Sequence, residues 1–320
     1  MTKVKASTLD LTNSSTITIP SLSSKFYGDG GNLINLLNNT VNQTSTYNFS
    51  LFGNTWTAKE SSRAWQGVAM SADGTKQTAV ANNIQIYVSS DSGNTWTAKD
   101  SNRSWRSVAM SSDGTKQTAV GYFDQIYVSI DSGNTWTAKD SNRSWCGVAM
   151  SADGTKQTAV ANSQIYISTD SGNTWTAKGP NGNWKGVAMS ADGTKQTAVM
   201  SGNQIYISTD SGNTWTAKGP NTNWKGVAMS ADGTKQTAAV DGGQIYISTD
   251  SGNTWTAKES SRNWYGVAMT SDGTKQTAVV NGGQIYVSID SGNTWSAKES
   301  SRNWYGVAMS ADGTKQTAVN

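Results

Sequence analysis

Short runs of β-forming residues alternate with polar turns along most of this chain. In one copy of the pattern the runs cover residues 107–111, 117–120, 125–129 and 135–139. The first two runs flank Ser112-Asp113-Gly114, an Asp-Gly signal for a tight hairpin turn, and the last two flank Asp131-Ser132-Gly133-Asn134. No run has apolar residues at the 3.6-residue spacing of an amphipathic helix. The pattern therefore predicts short antiparallel strands and no helix.

The four runs recur at a nearly constant interval. Two tryptophan series mark the recurrence; each advances by 40 residues except for one step of 39, and together they account for all 14 tryptophans. The first series is Trp56, Trp96, Trp136, Trp175, Trp215, Trp255 and Trp295, and the second is Trp65, Trp105, Trp145, Trp184, Trp224, Trp264 and Trp304. Seven copies of a four-stranded unit of this length predict an all-β fold, a seven-bladed β-propeller over residues 45–320.

The N-terminal and C-terminal ends of the chain are predicted to form one blade together. The last copy stops at Asn320, before its third run, and Tyr47 precedes Trp56 by the same interval as Tyr87 precedes Trp96. An N-terminal strand around Tyr47 is thus expected to complete the last blade. Such a strand closes the ring and leaves no open sheet edge.

Residues 1–44 form a separate segment that is rich in Ser, Thr and Asn and has no tryptophan. Residues 26–33 have the sequence FYGDGGNL, which resembles an F-x-G-D-G-x-x-L element of phage and virus fibre proteins. The resemblance implies an anchoring or assembly segment that contacts other proteins of a virion or similar assembly. The alternative is a leader that orders only at the closing strand.

A second motif lies at the turn between the third and fourth runs. Residues 168–175 have the sequence STDSGNTW, which matches the pattern S-x-D-x-G-x-T-W. The aspartate of this motif recurs as Asp91, Asp131, Asp170, Asp210, Asp250 and Asp290. The first copy departs from it, with Leu51 and Phe52 in place of the Asp-Ser pair. The chain resembles the Asp-box (BNR) propellers, which include sialidases, photosystem II assembly factors of the Ycf48 kind, sortilin-type receptors and some xyloglucanases. This resemblance implies the fold and selects no function, because one fold hosts many functions.

The repeated aspartate is expected to be structural. Its carboxylate can accept hydrogen bonds from backbone N–H groups of the turn, and the glycine of the motif tolerates a positive φ. A calcium site is the alternative, but the segment lacks the number of oxygen ligands found in a calcium loop. We predict no metal and no cofactor.

Composition excludes several classes of partner. The chain has 320 residues and a formal net charge of only +3, too little to predict binding to nucleic acid or to an anionic membrane. No run is long enough to insert into a bilayer, and residues 1–10 lack the apolar core of a secretory signal. A single cysteine excludes an internal disulfide framework. The expected location is a virion or an extracellular surface.

Catalysis is not expected. An active site needs singular residues that converge on one point, and nearly every carboxylate here is repeated around the ring. Asp124 and Asp241 are the singular ones, and three blades separate them, which disfavours a glycosidase pair. Cys146 has no histidine to activate it, because the chain contains none.

The copies differ at two places, the residue after the second tryptophan and the link between the second and third strands. Strand directions place both on one end of the sheets, together with the crossovers between blades, and we call this end the crossover face. The ligand-binding candidates there are Tyr122, Phe123, Asp124, Arg106, Lys185, Lys225, Tyr265 and Tyr305. Tyr122 and Phe123 are the expected exposed aromatic pair. Neutral drift in loops is an equal alternative.

Two repeated sets on this face have competing interpretations. The crossover arginines are Arg63, Arg103, Arg143, Arg262 and Arg302, and each follows an acid by three residues. The two copies without arginine lack the acid as well and have Gly-Pro, which favours a local ion pair over recognition of carboxylated or sulfated sugars. For the second tryptophan series, including Trp65 and Trp105, packing between blades is favoured over sugar stacking.

These observations predict a non-catalytic binding or display propeller that recognises a glycan or a host receptor through the crossover face. The first alternative is a structural or assembly factor that binds a protein partner on that face, like the Ycf48 kind. A glycoside hydrolase of the sialidase or xyloglucanase kind is the less favoured one.

Overall fold

The computed structural model describes the backbone of residues 16–18 and 46–48 and the whole of residues 52–320. The chain divides into two compact units, Met1–Leu51 and Phe52–Asn320. In the first unit, β1 (Thr16–Thr18) and β2 (Thr46–Asn48) form an antiparallel pair. No helix occurs in the described parts of either unit, in agreement with the all-β prediction.

The second unit consists of antiparallel strands joined by turns. The strands are β3 (Trp65–Met70), β4 (Gln77–Ser89), β5 (Thr97–Met110), β6 (Gln117–Ser129), β7 (Thr137–Met150), β8 (Gln157–Ala161), β9 (Ile165–Ser168), β10 (Thr176–Lys178), β11 (Trp184–Met189), β12 (Gln196–Ser208), β13 (Thr216–Met229), β14 (Gln236–Ser248), β15 (Thr256–Met269), β16 (Gln276–Ser288), β17 (Ser296–Asn303), β18 (Gly306–Met309) and β19 (Gln316–Val319). None of the described residues forms a helix long and apolar enough to cross a membrane.

Several of these strands are longer than the sequence predicted, because each belongs to two successive repeats. Strand β5 pairs with β4 through residues 97–104 and with β6 through residues 105–110. The crossover was expected to be a loop. It is extended because its residues pair with the link between the second and third strands, as in Asn82 with Ser104 and Ile84 with Arg103.

One repeat keeps the separate strands that the sequence predicted. Strands β8 and β9 form a discrete hairpin, and β10 and β11 are separated at the crossover. A proline in the crossover does not by itself separate the strands, because the Gly219-Pro220 crossover lies within the continuous strand β13. The distinguishing feature is the link at Asn162 and Ser163, which is one residue shorter and gives the 39-residue step.

The core lies between neighbouring repeats. The largest fully buried side chains include a tryptophan and an isoleucine from most repeats: Trp105, Trp145, Trp184, Trp224, Trp264, Ile86, Ile126, Ile165, Ile205, Ile245 and Ile285. Each of these tryptophans meets a tyrosine of the third strand edge-on, as in Trp105 and Tyr127 at 5.2 Å between ring centroids. Such a pair contributes about 0.5–1.5 kcal/mol beyond the area it buries.

Buried hydrogen bonds link each repeat to the next. The hydroxyl of Thr78 donates to the amide oxygen of Gln117 at 2.6 Å. The same bond recurs from Thr118, Thr158, Thr197, Thr237 and Thr277 to Gln157, Gln196, Gln236, Gln276 and Gln316. A seventh bond runs from Thr317 back to Gln77 at 2.6 Å. Breaking one leaves a buried polar group unsatisfied, which costs about 1–3 kcal/mol.

A second cycle runs through the tips of the Asp-Gly turns. The backbone N–H of Ala72 donates to the carbonyl of Ser112 at 2.8 Å, and equivalent bonds continue from repeat to repeat. Ala311 of the last repeat donates to Ala72 of the first, also at 2.8 Å. The described residues of the last repeat therefore lie directly against those of the first.

The last repeat draws on both ends of the second unit. Strands β18 and β19 pair with each other, and Trp56 packs with Trp304 and Ile285 as the first-series tryptophans do elsewhere. The third strand of this repeat was predicted from residues around Tyr47, and β2 at Thr46–Asn48 pairs with β1. Completion of the blade by that segment stays a prediction, as does the boundary after residue 44.

The innermost strands approach so closely that glycine is needed where they cross. A Cβ on Gly226 would lie 2.7 Å from the carbonyl oxygen of Tyr265 in the next repeat. Only the second repeat, at Ser107, carries a side chain at this position.

We expect Gly226→Ala to lower the free energy of unfolding by about 1–3 kcal/mol, because backbone must move to admit the methyl group. Ser107→Ala is the matched control and should change stability by less than about 0.5 kcal/mol. Urea unfolding followed by tryptophan fluorescence measures both. Equal stability of the two variants would contradict the close approach.

The Asp-Gly turns make stability depend on pH. The Ser111 hydroxyl, followed by the Thr115 backbone N–H and hydroxyl, holds the pKa of Asp113 at about 2, below its usual 3.8. The equivalent carboxylates also have a pKa of about 2: Asp73, Asp153, Asp192, Asp232, Asp272 and Asp312.

A depressed pKa in the folded state stabilises the fold above the unfolded pKa. The seven turns should therefore contribute fully above about pH 4, and the contribution should disappear as pH falls towards 2. Urea midpoints measured across this range should fall steeply, and less steeply in Asp113→Asn. A flat profile below about pH 4 would rule out this role of the turns.

Candidate functional site

A cavity of about 370 Å³ opens among the beginnings of the innermost strands. Every repeat contributes to its wall the residue after the second tryptophan, then a glycine or serine, then a valine. We call the first of these positions the mouth ring; it consists of Gln66, Arg106, Cys146, Lys185, Lys225, Tyr265 and Tyr305. Tyr122 and Asn162, from two links between second and third strands, and Trp145 also line the cavity. The two variable regions of the sequence thus meet in one cavity.

A β-bulge gives the mouth ring its position. The pairing register of β3 with β4 shifts between Trp65 and Gly67, so Gln66 is an extra residue with no partner in the ladder. The same shift follows the second-series tryptophan in the next five repeats. The bulge bends the strand and directs this residue to the cavity, whereas the tryptophan before it stays buried.

One part of the mouth ring is cationic. The Nη1 of Arg106 donates to Gln66 at 2.9 Å, and its guanidinium lies 5.4 Å from the ring centroid of Tyr122. Lys185 donates to Asn183 at 2.8 Å. Lys225 lies 3.6 Å from the carboxylate of Asp241. The described residues that line the cavity include these three cations and no carboxylate.

The other part of the mouth ring is aromatic. Tyr265 and Tyr305 stand edge-to-face with ring centroids 5.4 Å apart. The Lys225 ammonium lies 4.9 Å from the Tyr265 ring centroid, which joins the two parts. Sequence comparison among the repeats located these residues, but it could not show that they share a cavity, because that depends on the bulge.

Cys146 lies between the cationic residues and Asn162. Burial raises the pKa of its thiol, and the charges of Lys185, Arg106 and Lys225 act in the opposite direction. The thiol donates to the Asn162 side-chain oxygen at 2.9 Å. A neutral thiol agrees with the prediction that Cys146 is not an activated nucleophile.

Tyr122 lines the cavity, and Phe123 follows it in the link between the second and third strands. They are 39% and 69% exposed, and their ring centroids are 4.3 Å apart. Phe123 has a φ of 55°. Equivalent positions in other repeats carry Asn83 or a glycine at similar positive φ values, residues that adopt this conformation at little cost. The strained aromatic is thus a departure from the pattern of the other repeats.

Asp124, the third candidate of this link, is engaged away from the cavity. It accepts hydrogen bonds from the Tyr127 hydroxyl at 3.3 Å and from Arg103 at 3.4 Å, and it does not line the cavity wall. Its role is therefore to hold the link against the crossover.

The five predicted ion pairs of the crossover arginines are present. Their N–O distances range from 3.2 Å in Arg63–Glu60 to 3.9 Å in Arg302–Glu299. The other pairs are Arg103–Asp100, Arg143–Asp140 and Arg262–Glu259. Four of these guanidinium groups also stack on a tyrosine of the third strand, with centroid distances of 4.3–4.6 Å. None of the five arginines lines the cavity.

Backbone conformation explains why acid and arginine occur together. Asp100, Asp140 and Glu259 have φ values of 56°, 52° and 58°. In the two repeats without the ion pair, Gly179 and Gly219 adopt the same conformation at 73° and 66°. At these positions the acid has an arginine partner, and glycine is present where the arginine is absent; Glu60 pairs with Arg63 without a positive φ.

The sugar-stacking alternative for the second tryptophan series is wrong for Trp65 and Trp105. These side chains are 7% and 0% exposed, so neither presents a ring face to a ligand. Packing between repeats, the favoured interpretation, is what the structure shows.

The repeated aspartates of the S-x-D-x-G-x-T-W motif hold their turns. Asp91 accepts from the Thr95 backbone N–H at 2.9 Å and from the Thr95 hydroxyl at 2.6 Å, and the Trp96 indole donates to Gly93 at 3.0 Å. Asp131, Asp170, Asp210, Asp250 and Asp290 make the same bonds. Among the described residues, no group of three or more His, Cys, Asp or Glu side chains is placed to hold a metal ion.

Solved structures with the same architecture include YCF48 from Cyanidioschyzon merolae, with a TM-score of 0.62, 18% identity and coverage of 78% of this chain and 90% of that one. Kuenenia stuttgartiensis hydrazine synthase matches with a TM-score of 0.69 at 14% identity, over 82% of this chain and 94% of that one. The chain has a β-propeller fold. A GH74 enzyme from Niastella koreensis matches with a TM-score of 0.59 at 20% identity, over 78% of this chain and 40% of that one. No family model and no curated protein matches the propeller chain.

The strain at Phe123 leads to a stability prediction. Phe123→Gly should raise the free energy of unfolding by about 1 kcal/mol relative to Phe123→Ala, because both remove the ring and only glycine relieves the positive φ. Thermal and urea unfolding of the two variants give the difference. If alanine is as stable as glycine at this position, the link carries no strain.

Proposed function

We propose that this chain is a non-catalytic binding protein that holds a protein partner on the crossover face of its propeller, around the mouth ring. The single observation that carries the proposal is Phe123, an exposed aromatic in a strained conformation whose ring packs against Tyr122 of the cavity wall. Strain of this kind persists where surrounding structure or function requires it. Aromatic and arginine side chains are enriched among residues that dominate protein interfaces, and Arg106 stacks on the neighbouring Tyr122.

The comparisons favour a protein partner over a glycan. One of the similar solved structures is YCF48 bound to D1 peptide, at 20% identity with a TM-score of 0.62, over 78% of this chain and 89% of that one. The glycan or host-receptor role, the first prediction from the sequence, has no comparable support. A protein-binding role, which was the first alternative, therefore takes its place.

We further propose that the propeller has seven blades in a closed ring of Asp-box repeats. Its support is the pair of seven-membered hydrogen-bond cycles, in which Thr317 donates to Gln77 and Ala311 donates to Ala72. The packing of Trp56 beside Trp304 supports sharing of the last blade between both ends.

The absence of catalysis is part of the proposal. This part is supported by the hydrogen bonding of the repeated carboxylates. Those of the Asp-Gly turns and of the S-x-D-x-G-x-T-W motifs accept hydrogen bonds within their own turns, as Asp113 and Asp91 do. Hydrolysis by a pair of carboxylates would need two that converge. The described wall of the cavity contains no carboxylate.

Anchoring through residues 1–44 to a virion or similar assembly stays a prediction. The FYGDGGNL element of this segment lies outside the described residues.

Photo-crosslinking tests the partner and its location. A benzophenone amino acid placed at Phe123 should capture a discrete protein from an extract of the native cells, with capture abolished by excess unlabelled wild-type chain. Ile130 is the matched control, because it is 74% exposed and follows the last residue of β6, next to the Asp131 turn, whereas Phe123 lies in the middle of that strand. Equal capture from both positions would contradict the proposal. Saturable binding on a glycan array that Phe123→Gly abolishes, without protein capture, would replace the protein partner with a glycan.

A further inference from the structure

The distribution of charge over the propeller differs between the crossovers and the cavity. Each of the five crossover arginines has an acid three residues earlier and forms an ion pair with it. Of the three mouth-ring cations, Lys225 lies 3.6 Å from the carboxylate of Asp241. Arg106 and Lys185 donate hydrogen bonds to neutral side chains, those of Gln66 and Asn183. Within the described structure, the cavity therefore concentrates positive charge.

The three cations and Cys146 line the same cavity. The cations come from three different repeats, and the charges of Lys185, Arg106 and Lys225 all favour the ionised form of the same Cys146 thiol. That thiol lines the cavity. An anion in the cavity near Cys146 would therefore lie on the cationic part of the mouth ring.

The side chains are suited to an oxyanion. A guanidinium presents N–H donors in a planar fork that matches a carboxylate, and its contacts with Gln66 and Tyr122 fix the plane of the Arg106 fork. The edge-to-face tyrosines on the other side, Tyr265 and Tyr305, provide apolar ring surface for the aliphatic part of an acidic side chain. Because the cavity is partly closed by the innermost strands, these attractions are less screened there than on an open surface.

We infer that the cavity is a carboxylate-binding site that takes an acidic side chain of a peptide. The inference rests on the proposed function for the source of the carboxylate, because an acidic sugar carries the same group. The preference of the cavity for an anion is independent of the partner and can be measured without it.

The only cysteine of the chain is a reporter inside the site. We expect the ratio of alkylation rates of Cys146 by iodoacetate and by the neutral iodoacetamide to fall about three- to tenfold in Lys185→Gln and in Arg106→Gln. The ratio cancels changes in the accessibility or ionisation of the thiol. Lys258→Gln, near the start of β15 and outside the cavity wall, is the control and should leave the ratio unchanged. A ratio that does not respond to either mouth-ring variant, or to added salt, would overturn the inference.

Protection of Cys146 distinguishes the two sources of the carboxylate. An oligoglutamate peptide with blocked ends should slow alkylation by iodoacetamide in the full chain, and an oligoglutamine peptide of equal length should not. Protection by N-acetylneuraminic acid without protection by oligoglutamate would overturn the assignment to a peptide. Failure of photo-crosslinking at Phe123 would remove the proposed partner, whereas it would leave the alkylation ratio as it is.

Discussion

A buried threonine hydroxyl that donates to a glutamine of the next repeat is the interaction on which this structure depends. Thr118 and Gln157 illustrate it, with a 2.6 Å bond between two side chains that are almost fully buried. The amide nitrogen of the same glutamine donates to the carbonyl of Gly154 in its own turn. Because an unsatisfied buried polar group costs about 1–3 kcal/mol, loss of a neighbour on either side destabilises a repeat. In the proposed closed ring of seven repeats, every repeat has a neighbour on both sides.

The residues that hold neighbouring repeats together are different from those of the mouth ring. Close approach of the innermost strands leaves little room for a side chain at Gly147, where a Cβ would lie 3.3 Å from the Cα of Gly186 in the next repeat, and the Trp145 before it is held in the core. Cys146 between them is the bulged residue, with no partner in the ladder and its side chain in the cavity. The framework therefore tolerates substitution at the mouth ring, and there the seven repeats carry a glutamine, an arginine, a cysteine, two lysines and two tyrosines.

Much of the fold was predictable because the repeats are nearly identical. The period, the strand order, the Asp-Gly turns and the burial of the second tryptophan series all follow from residues that recur in each copy, and the arginine–acid ion pairs follow from their joint loss. Features that depend on register were not predictable. The crossover is extended because Ser104 pairs with Asn82. Asp100 has a positive φ within the same crossover.

Some of the candidate residues from the sequence line the cavity, whereas Phe123, Asp124 and the crossover arginines do not. Variation among the copies pointed to Arg106, Lys185 and Tyr265, but a β-bulge that the sequence does not signal brings them into one cavity. The glutamine–threonine pair went unrecognised, although a polar Gln-Thr at the start of an otherwise apolar strand in every copy was a usable signal.

The central claim is that the last repeat is bound to the first, so that the propeller opens as one unit. Native-state hydrogen exchange, resolved by repeat with mass spectrometry, tests it most directly. A cyclic structure predicts that the amides of the innermost strands in all seven repeats share one opening free energy. Exchange that is fastest in the first and last repeats and slowest in the middle, as in an open array of repeats, would contradict the account.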